Sequence, residues 1–171
     1  IGLGYVGLEL MLNIRESKYK VFGFDINKLK IEKLKKNIPT INTISKKRLS
    51  ILNKENLFDT SNISKIDECD IIIICVPTPL KKKNIPDMSY IENTLNLILK
   101  YLKPEQLIIL ESTVYPGATK EIFYKKINHK KELNIGKNFY LGFSPERISP
   151  GKDYRIKYKD ITKVISGYSN E

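Results

Sequence analysis

Cysteine, histidine and arginine are scarce in this chain, and each shortage closes off a class of chemistry. Of 171 residues two are cysteine and one is histidine. Cys69 and Cys75 form no C-x-x-C pair and show no metal-ligand spacing, so no metal site is assigned. Cys75 lies in an apolar run, where a buried thiol is the default. Two cysteines without a pairing pattern suit a reducing compartment, and a cytoplasmic protein is expected. His129 stands in a lysine-rich helix end and receives no role; neither a Ser–His–Asp nor a Cys–His constellation is present. The arginines are Arg15, Arg48, Arg147 and Arg155 alone. The net charge of +11 therefore comes from lysines spread along the chain, which read as solvated helix faces and not as the Arg/aromatic module of a nucleic-acid binder. The longest wholly apolar run, Ile71 to Val76, is far too short to span a bilayer. Neither nucleic acid nor membrane is expected as a partner.

What is present begins at the first residues. Ile1-Gly2-Leu3-Gly4-Tyr5-Val6-Gly7-Leu8 is a Gly-x-Gly-x-x-Gly run entered from an apolar residue. Gly2 suits a tight turn out of a strand, Gly4 lets a pyrophosphate approach bare backbone, and Gly7 lets the following helix pack close to a sheet. The free N–H groups at that helix start then face the phosphates. By itself the pattern is common. Val21-Phe22-Gly23-Phe24-Asp25 strengthens it, because a strand ending in a carboxylate roughly 20 residues on suits a ribose hydroxyl. The same charge repels a 2′-phosphate, which favours NAD over NADP. The competing account of Asp25 is an ordinary strand-end turn residue. The chain carries no initiating Met and one residue of what should be a full strand before Gly2, so it is expected to be a fragment with a truncated first strand.

Taken in order, a helix is predicted from Gly7 to about Glu16, and a second from an Asn27 cap to about Asn37. Ile31, Leu34 and Ile38 mark the buried stripe of the second helix, and Lys30 on its first turns comes within reach of the same adenosine as Asp25, although one more solvated lysine is the stronger reading of it. A short helix and loop fill Thr40–Lys54, and Leu57–Thr60 reads as a short strand. Ile71 to Val76 has the continuous apolar character of a strand covered on both faces. Ser89-Tyr90-Ile91-Glu92 has the form of a capping box, and Ile91, Leu95, Ile98 and Leu102 follow at helical spacing. Leu107–Leu110 is a strand, about Thr119–Lys131 a helix, and Phe139–Phe143 a strand. Alternating strands and helices imply an α/β fold, a Rossmann-like doubly wound parallel sheet with its first strand truncated.

Three polar motifs each follow an apolar strand: Pro77-Thr78-Pro79, Glu111 to Gly117, and Ser144 to Gly151. In a parallel sheet such strand ends share the edge where ligands bind. Thr78 offers a hydroxyl suited to a nicotinamide or its ribose, or simple turn chemistry. Thr113 could bond a substrate hydroxyl or hold a water, or cap a helix. Glu146 is a candidate general base, with a salt bridge to a lysine as the alternative. Arg147 could bind a substrate anion or carbonyl, or be a surface arginine.

The glycine run and these three motifs, in this order and spacing, resemble the N-terminal domain of the UDP-glucose/UDP-N-acetylhexosamine 6-dehydrogenases, the nucleotide-sugar dehydrogenases, over essentially the whole chain. The resemblance implies an NAD-binding domain over residues 1–171 and, for the enzyme, a two-step oxidation of a UDP-sugar C6 alcohol to the uronic acid with two NAD⁺. Such an enzyme serves polysaccharide biosynthesis. In that family the intermediate is held on a cysteine as a thiohemiacetal and then a thioester. Carried over by motif, Gly2, Gly4, Tyr5, Val6, Gly7, Asp25, Lys30, Thr78 and Thr113 match cofactor-binding positions. Thr113 and Glu146 match groups around the reacting carbon, and Glu146, Arg147 and Ile148 match residues near the substrate. Family members acting on UDP-glucose usually have Phe where Arg147 stands, so a UDP-N-acetylhexosamine is expected. Glu9 stands where members often carry Pro and the first helix lacks their small residues, which predicts looser packing of that helix. The catalytic cysteine, its lysine and asparagine partners, the central helix that forms a homodimer and the C-terminal UDP-sugar domain are expected beyond Glu171. Neither Cys69 nor Cys75 matches the nucleophile, so the fragment is expected to bind cofactor and turn nothing over. The alternative is a non-catalytic NAD-binding module; a basic nucleic-acid-binding domain ranks behind both.

Overall fold

A computed structural model describes residues 1–147 and 161–169. The chain divides into two compact units, residues 1–63 with 147–162 and residues 64–146 with 163–171. The first unit begins with helix α1, Tyr5–Glu16, followed by strand β1, Gly23–Phe24, helix α2, Lys28–Lys35, the short α3, Lys46–Leu49, and strand β2, Leu57–Phe58. β1 and β2 pair in parallel, Gly23 opposite Leu57. Asn27 caps α2 as expected, its side chain accepting from Lys30 N–H. Ile31 and Leu34 are buried, but Ile38 is 46% exposed. The helix stops at Lys35 and Asn37 turns left-handed at φ 58°, so Ile38 no longer keeps the helical period.

Leu3, Leu8, Met11, Leu12, Ile31, Leu34, Ile41, Ile44, Leu49, Leu52 and Leu57 form one buried cluster. The polar-looking stretch after Pro39 therefore contributes four of its apolar residues to the core. The looser packing expected of α1 is not found: Leu8 and Leu12 are fully buried. A small residue on the strand contributes to this, beside the buried Gly7 of the helix. A Cβ added at Gly23 would lie 2.6 Å from Met11 Sδ and 3.2 Å from Leu3 Cδ1. Glu9 is occupied by an ion pair with Arg48, which also reaches Glu16 at 2.9 Å and so ties α3 to α1. Burial works against the Arg48 charge, but the two carboxylates outweigh it and its pKa is raised.

The second unit holds a four-stranded sheet in the order β3, β4, β5, β6: Ile71–Ile74, Leu107–Leu110, Tyr140–Phe143 and Ser166–Gly167. β3, β4 and β5 are parallel, in a register that sets Ile74 beside Leu110 and Leu110 beside Phe143. β6 is antiparallel to β5. Among the described residues the strands thus form two sheets and include one antiparallel edge. β3 is less covered than its sequence suggests, since Ile72 and Ile74 are buried while Ile71 is 55% exposed.

Helix α4, Ser89–Ile98, buries Ile91, Leu95 and Ile98. Its capping differs from the expected box. Met88 precedes the helix without a side-chain cap, and Asp87 Oδ1 accepts from Ser89 N–H at 3.0 Å. The carboxylate that satisfies the helix start lies two residues upstream of Ser89, and Asp87 is held below its usual pKa by the Ser89 bonds and by Lys81. The next helix runs with wide, π-type turns over Thr119–Tyr124 and continues as α5, Lys125–Ile127, shorter than the expected Lys131 end. No helix among the described residues is long and apolar enough to cross a membrane.

Candidate functional site

In the first unit the glycine run makes a turn and then a bare helix start. Gly2 takes φ 89°, a left-handed value that disfavours side chains, and its N–H donates to the Phe24 carbonyl at 2.8 Å. The chain passes through Gly4, with φ −84° and ψ −161°, into α1, and no side chain caps that helix. The amides of Tyr5, Val6 and Gly7 have no earlier turn to bond to; the first helical bond runs from Leu8 N–H to the Gly4 carbonyl at 3.0 Å. No acidic residue occupies the first turn. The space where a Cβ on Gly4 would project is open, with no atom within 4 Å. A turn with free amides, a positive helix end and room above a bare backbone fits a pyrophosphate.

Asp25 organises the same unit. Its carboxylate is 6% exposed and accepts from Leu3 N–H at 2.9 Å on Oδ2 and from Asn27 N–H at 2.9 Å on Oδ1. Lys30 Nζ donates to Oδ2 at 2.6 Å. One side chain therefore holds the glycine turn, the entry to α2 and a lysine at once. A carboxylate has about four acceptor sites, so Oδ1 keeps capacity for a further donor such as a ribose hydroxyl. Lys30 is 27% exposed and paired with Asp25.

In the second unit the three parallel strands end together. Cys75 follows β3, Glu111 follows β4 and Ser144 follows β5. Glu111 N–H and Ser112 N–H donate to the Ile74 carbonyl at 2.9 and 3.3 Å, and Ser144 N–H donates to the Leu110 carbonyl at 3.0 Å. The Ser112 hydroxyl donates to the Val76 carbonyl at 2.7 Å. One step further out, the Thr78 hydroxyl donates to the Thr113 carbonyl at 2.7 Å. The proline-flanked motif and the Glu111–Gly117 motif are thus joined through Thr78 and Thr113. Thr113 lies outside the helix that Ala118 precedes, which removes its helix-cap alternative.

The same unit holds a charged group. Lys163 Nζ lies 2.8 Å from Glu111 Oε2 and 3.8 Å from Glu146 Oε2. The two carboxylate side chains are only 6% and 9% exposed. Glu146 is therefore a recessed carboxylate beside an ammonium, so the lysine salt bridge offered as its alternative is present. Burial pushes the neighbouring Cys75 thiol up to about 11. Glu111 and Glu146 reinforce that rise and Lys163 opposes it. At neutral pH such a thiol carries its proton and is inert.

Within the first unit, then, Gly2, Gly4, Tyr5, Val6, Gly7, Asp25 and Lys30 share one locality. Within the second, Thr78 meets Thr113, and Glu146 meets Lys163 and Glu111. Arg147 is exposed and its Nη1 donates to the Thr162 carbonyl at 3.1 Å. Ile148 lies outside the described residues. Glu111 and Lys163 were not singled out from the sequence. A carboxylate directly after a wholly apolar strand was a usable signal for Glu111; Lys163 had none among so many lysines. His129 is exposed, and among the described residues no group of His, Cys, Asp and Glu is placed to hold a metal.

Comparison with known proteins gives the family and the fold. The sequence profile described as the UDP-glucose/GDP-mannose dehydrogenase family, NAD binding domain, matches residues 1–171. Protein CapL of Staphylococcus aureus is 41% identical over 171 residues, which is 100% of this chain and 39% of that protein. A UDP-N-acetyl-D-glucosamine 6-dehydrogenase of Pseudomonas aeruginosa is 37% identical over 172 residues, 100% of this chain and 40% of that protein. Among solved structures, a UDP-D-ManNAc dehydrogenase from Pyrococcus horikoshii superposes with a TM-score of 0.84 at 31% identity, covering 99% of this chain and 40% of that one. The fold is thus the Rossmann-type α/β arrangement. The chain spans about 40% of the length of the relatives it matches.

Proposed function

Since the chain belongs to the UDP-glucose/GDP-mannose dehydrogenase family as its NAD-binding domain, we propose that it serves the oxidation of a UDP-N-acetylhexosamine at C6 to the uronic acid, for polysaccharide synthesis. The observation that carries this reading is the uncapped start of α1 beneath open space at Gly4, with Asp25 bonded to the same turn. The first-turn amides of Tyr5, Val6 and Gly7 bind the pyrophosphate, and Asp25 with Lys30 holds the adenosine ribose. Thr78 and Thr113 position the nicotinamide end and the sugar alcohol. The chemistry that NAD supplies is hydride acceptance. Glu146, recessed beside Lys163, takes a proton from the water that completes conversion to the acid. Arg147 and Ile148 are assigned to the substrate by their motif, and Arg147 favours an N-acetylhexosamine over glucose. The names of the relatives from Pseudomonas aeruginosa and Pyrococcus horikoshii support that sugar class.

In this reading the nucleophile is neither Cys75, whose thiol is protonated, nor Cys69, which belongs to no motif. The chain alone binds cofactor and does not turn over; the longer protein dimerises and acts in the cytoplasm. Two experiments test the reading. The Gly4→Ala variant should keep its fold to within about 1 kcal/mol, since its φ suits alanine and only an N-cap preference is lost. It should bind NADH at least about tenfold more weakly, because a methyl group enters the phosphate space. Unchanged NADH affinity would remove the cradle. For the longer protein, UDP-GlcNAc, UDP-ManNAc and UDP-GalNAc should each be compared with UDP-glucose as substrates. A clear preference for UDP-glucose would overturn the assigned sugar class.

A further inference from the structure

β6 has no evident catalytic residue, yet the segment entering it delivers Lys163 to the two recessed carboxylates of the second unit. The arrangement follows from the sheet. β4 and β5 are parallel and in register, so Glu111 at the end of one and Glu146 beyond the end of the other lie over the same edge. β6 pairs antiparallel with β5, Ser166 opposite Phe143, so the residues before Ser166 run back over that edge. Lys163 arrives there three residues ahead of the pairing. Two carboxylates this close and this shielded repel one another unless a cation lies between them.

We propose that Lys163 is a positioning residue for Glu146: its ammonium bridges Glu111 and Glu146 and fixes the orientation in which Glu146 meets substrate. The role of Glu146 as a base rests on the functional reading above; the bridge itself does not. Glu111 is the anchor, with the shorter contact of 2.8 Å, and Glu146 is the arm held at 3.8 Å. Among the described residues, the charged and titratable groups around Glu146 include Cys75 after β3, Glu111 after β4, Lys163 before β6 and its chain neighbour Arg147, whose guanidinium reaches the Thr162 carbonyl. The Cys75 thiol is protonated at neutral pH, so it adds no charge beside Lys163 and Glu111.

The test is a titration of the glutamate side-chain carboxyl carbons by NMR in the full chain, with Glu146 assigned by the loss of its signal in Glu146→Gln. Replacing the ammonium in Lys163→Met should raise the Glu146 midpoint by about one to three pH units, the range set by a single near charge. Lys163→Arg should restore most of that shift. Glu111→Gln should act in the opposite direction, lowering the midpoint, because a competing anion is removed and the ammonium is freed for Glu146. It also covers the case in which Lys163→Met does not fold. In the longer protein, Lys163→Met should move the acidic limb of the kcat profile upward with little change in the KM for NAD⁺. A Glu146 midpoint that stays put in Lys163→Met, or that rises in Glu111→Gln, overturns the bridge. A protein that titrates as described but oxidises no UDP-sugar retains the bridge and refutes the functional reading instead.

Discussion

Removing the Asp25 carboxylate should cost the fold more than any other single change around the glycine run. In Asp25→Ala, Leu3 N–H is left buried without an acceptor, at about 1–3 kcal/mol. The bond to Asn27 N–H at the entry of α2 is lost as well, and bonds to a charged acceptor contribute about 1.5–3 kcal/mol each. The Lys30 pair adds little, because Lys30 reaches solvent and can be hydrated. These effects overlap, so the expected loss is about 3 kcal/mol. For a chain of this size that lowers the melting temperature by roughly 6–12 °C. Asp25→Asn should fall between the two. Its amide oxygen can keep Leu3 N–H, but its NH₂ then faces Asn27 N–H, donor against donor. Thermal and urea unfolding of wild type, Asp25→Asn and Asp25→Ala, followed by far-ultraviolet circular dichroism, gives the series. A loss below about 1 kcal/mol in Asp25→Ala would show that the carboxylate does not tie the turn to α2, and the reasoning from its hydrogen bonds would fail.

Other outcomes follow from the same contacts. With its thiol pushed up to about 11, Cys75 should alkylate at pH 8 more than about 100-fold more slowly than a free thiol, whose ordinary pKa is about 8.5. Its rate should keep rising about tenfold per pH unit above pH 9, because the thiolate fraction is still growing there; mass-spectrometric iodoacetamide kinetics read this, and a plateau near pH 9 would contradict burial as the cause. Gly23→Val should destabilise the chain by about 1–3 kcal/mol through overpacking, since an added Cβ meets Met11 Sδ at 2.6 Å. Gly23→Ala should lose less, because the thioether end can move; a neutral Gly23→Val would mean that α1 does not press on β1.

The sequence was most legible where packing alone decides the structure. Leu107–Leu110 and Ile71–Ile74 are strands, as their short length and β-branched content favour. The α4 stripe of Ile91, Leu95 and Ile98 repeats at the helical period and is buried. Local polar chemistry was harder to read. Asp87 and Glu92 offer the same start to α4 by composition, and only the backbone geometry gives the cap to Asp87. Ile38 fits the α2 stripe in sequence but follows a left-handed Asn37. Gly23 looked like part of a strand, and its close contact with Met11 depends on tertiary approach. The half of the site built on glycines and Asp25 was visible because a dinucleotide cradle is local in sequence. The Lys163 pair was not, because it joins residues 52 positions apart and one lysine resembles another until the sheet brings it to a carboxylate.

The central claim is that this domain grips an adenosine ribose without a 2′-phosphate, through Asp25. The most direct measurement is a titration of the chain with NADH and with NADPH, following nicotinamide emission. The chain contains no tryptophan, so the signal is the ligand's own. NADH should bind at least about tenfold more tightly than NADPH, because a phosphate dianion would lie against the Asp25 carboxylate. Equal affinity for the two, or tighter binding of NADPH, would contradict the account.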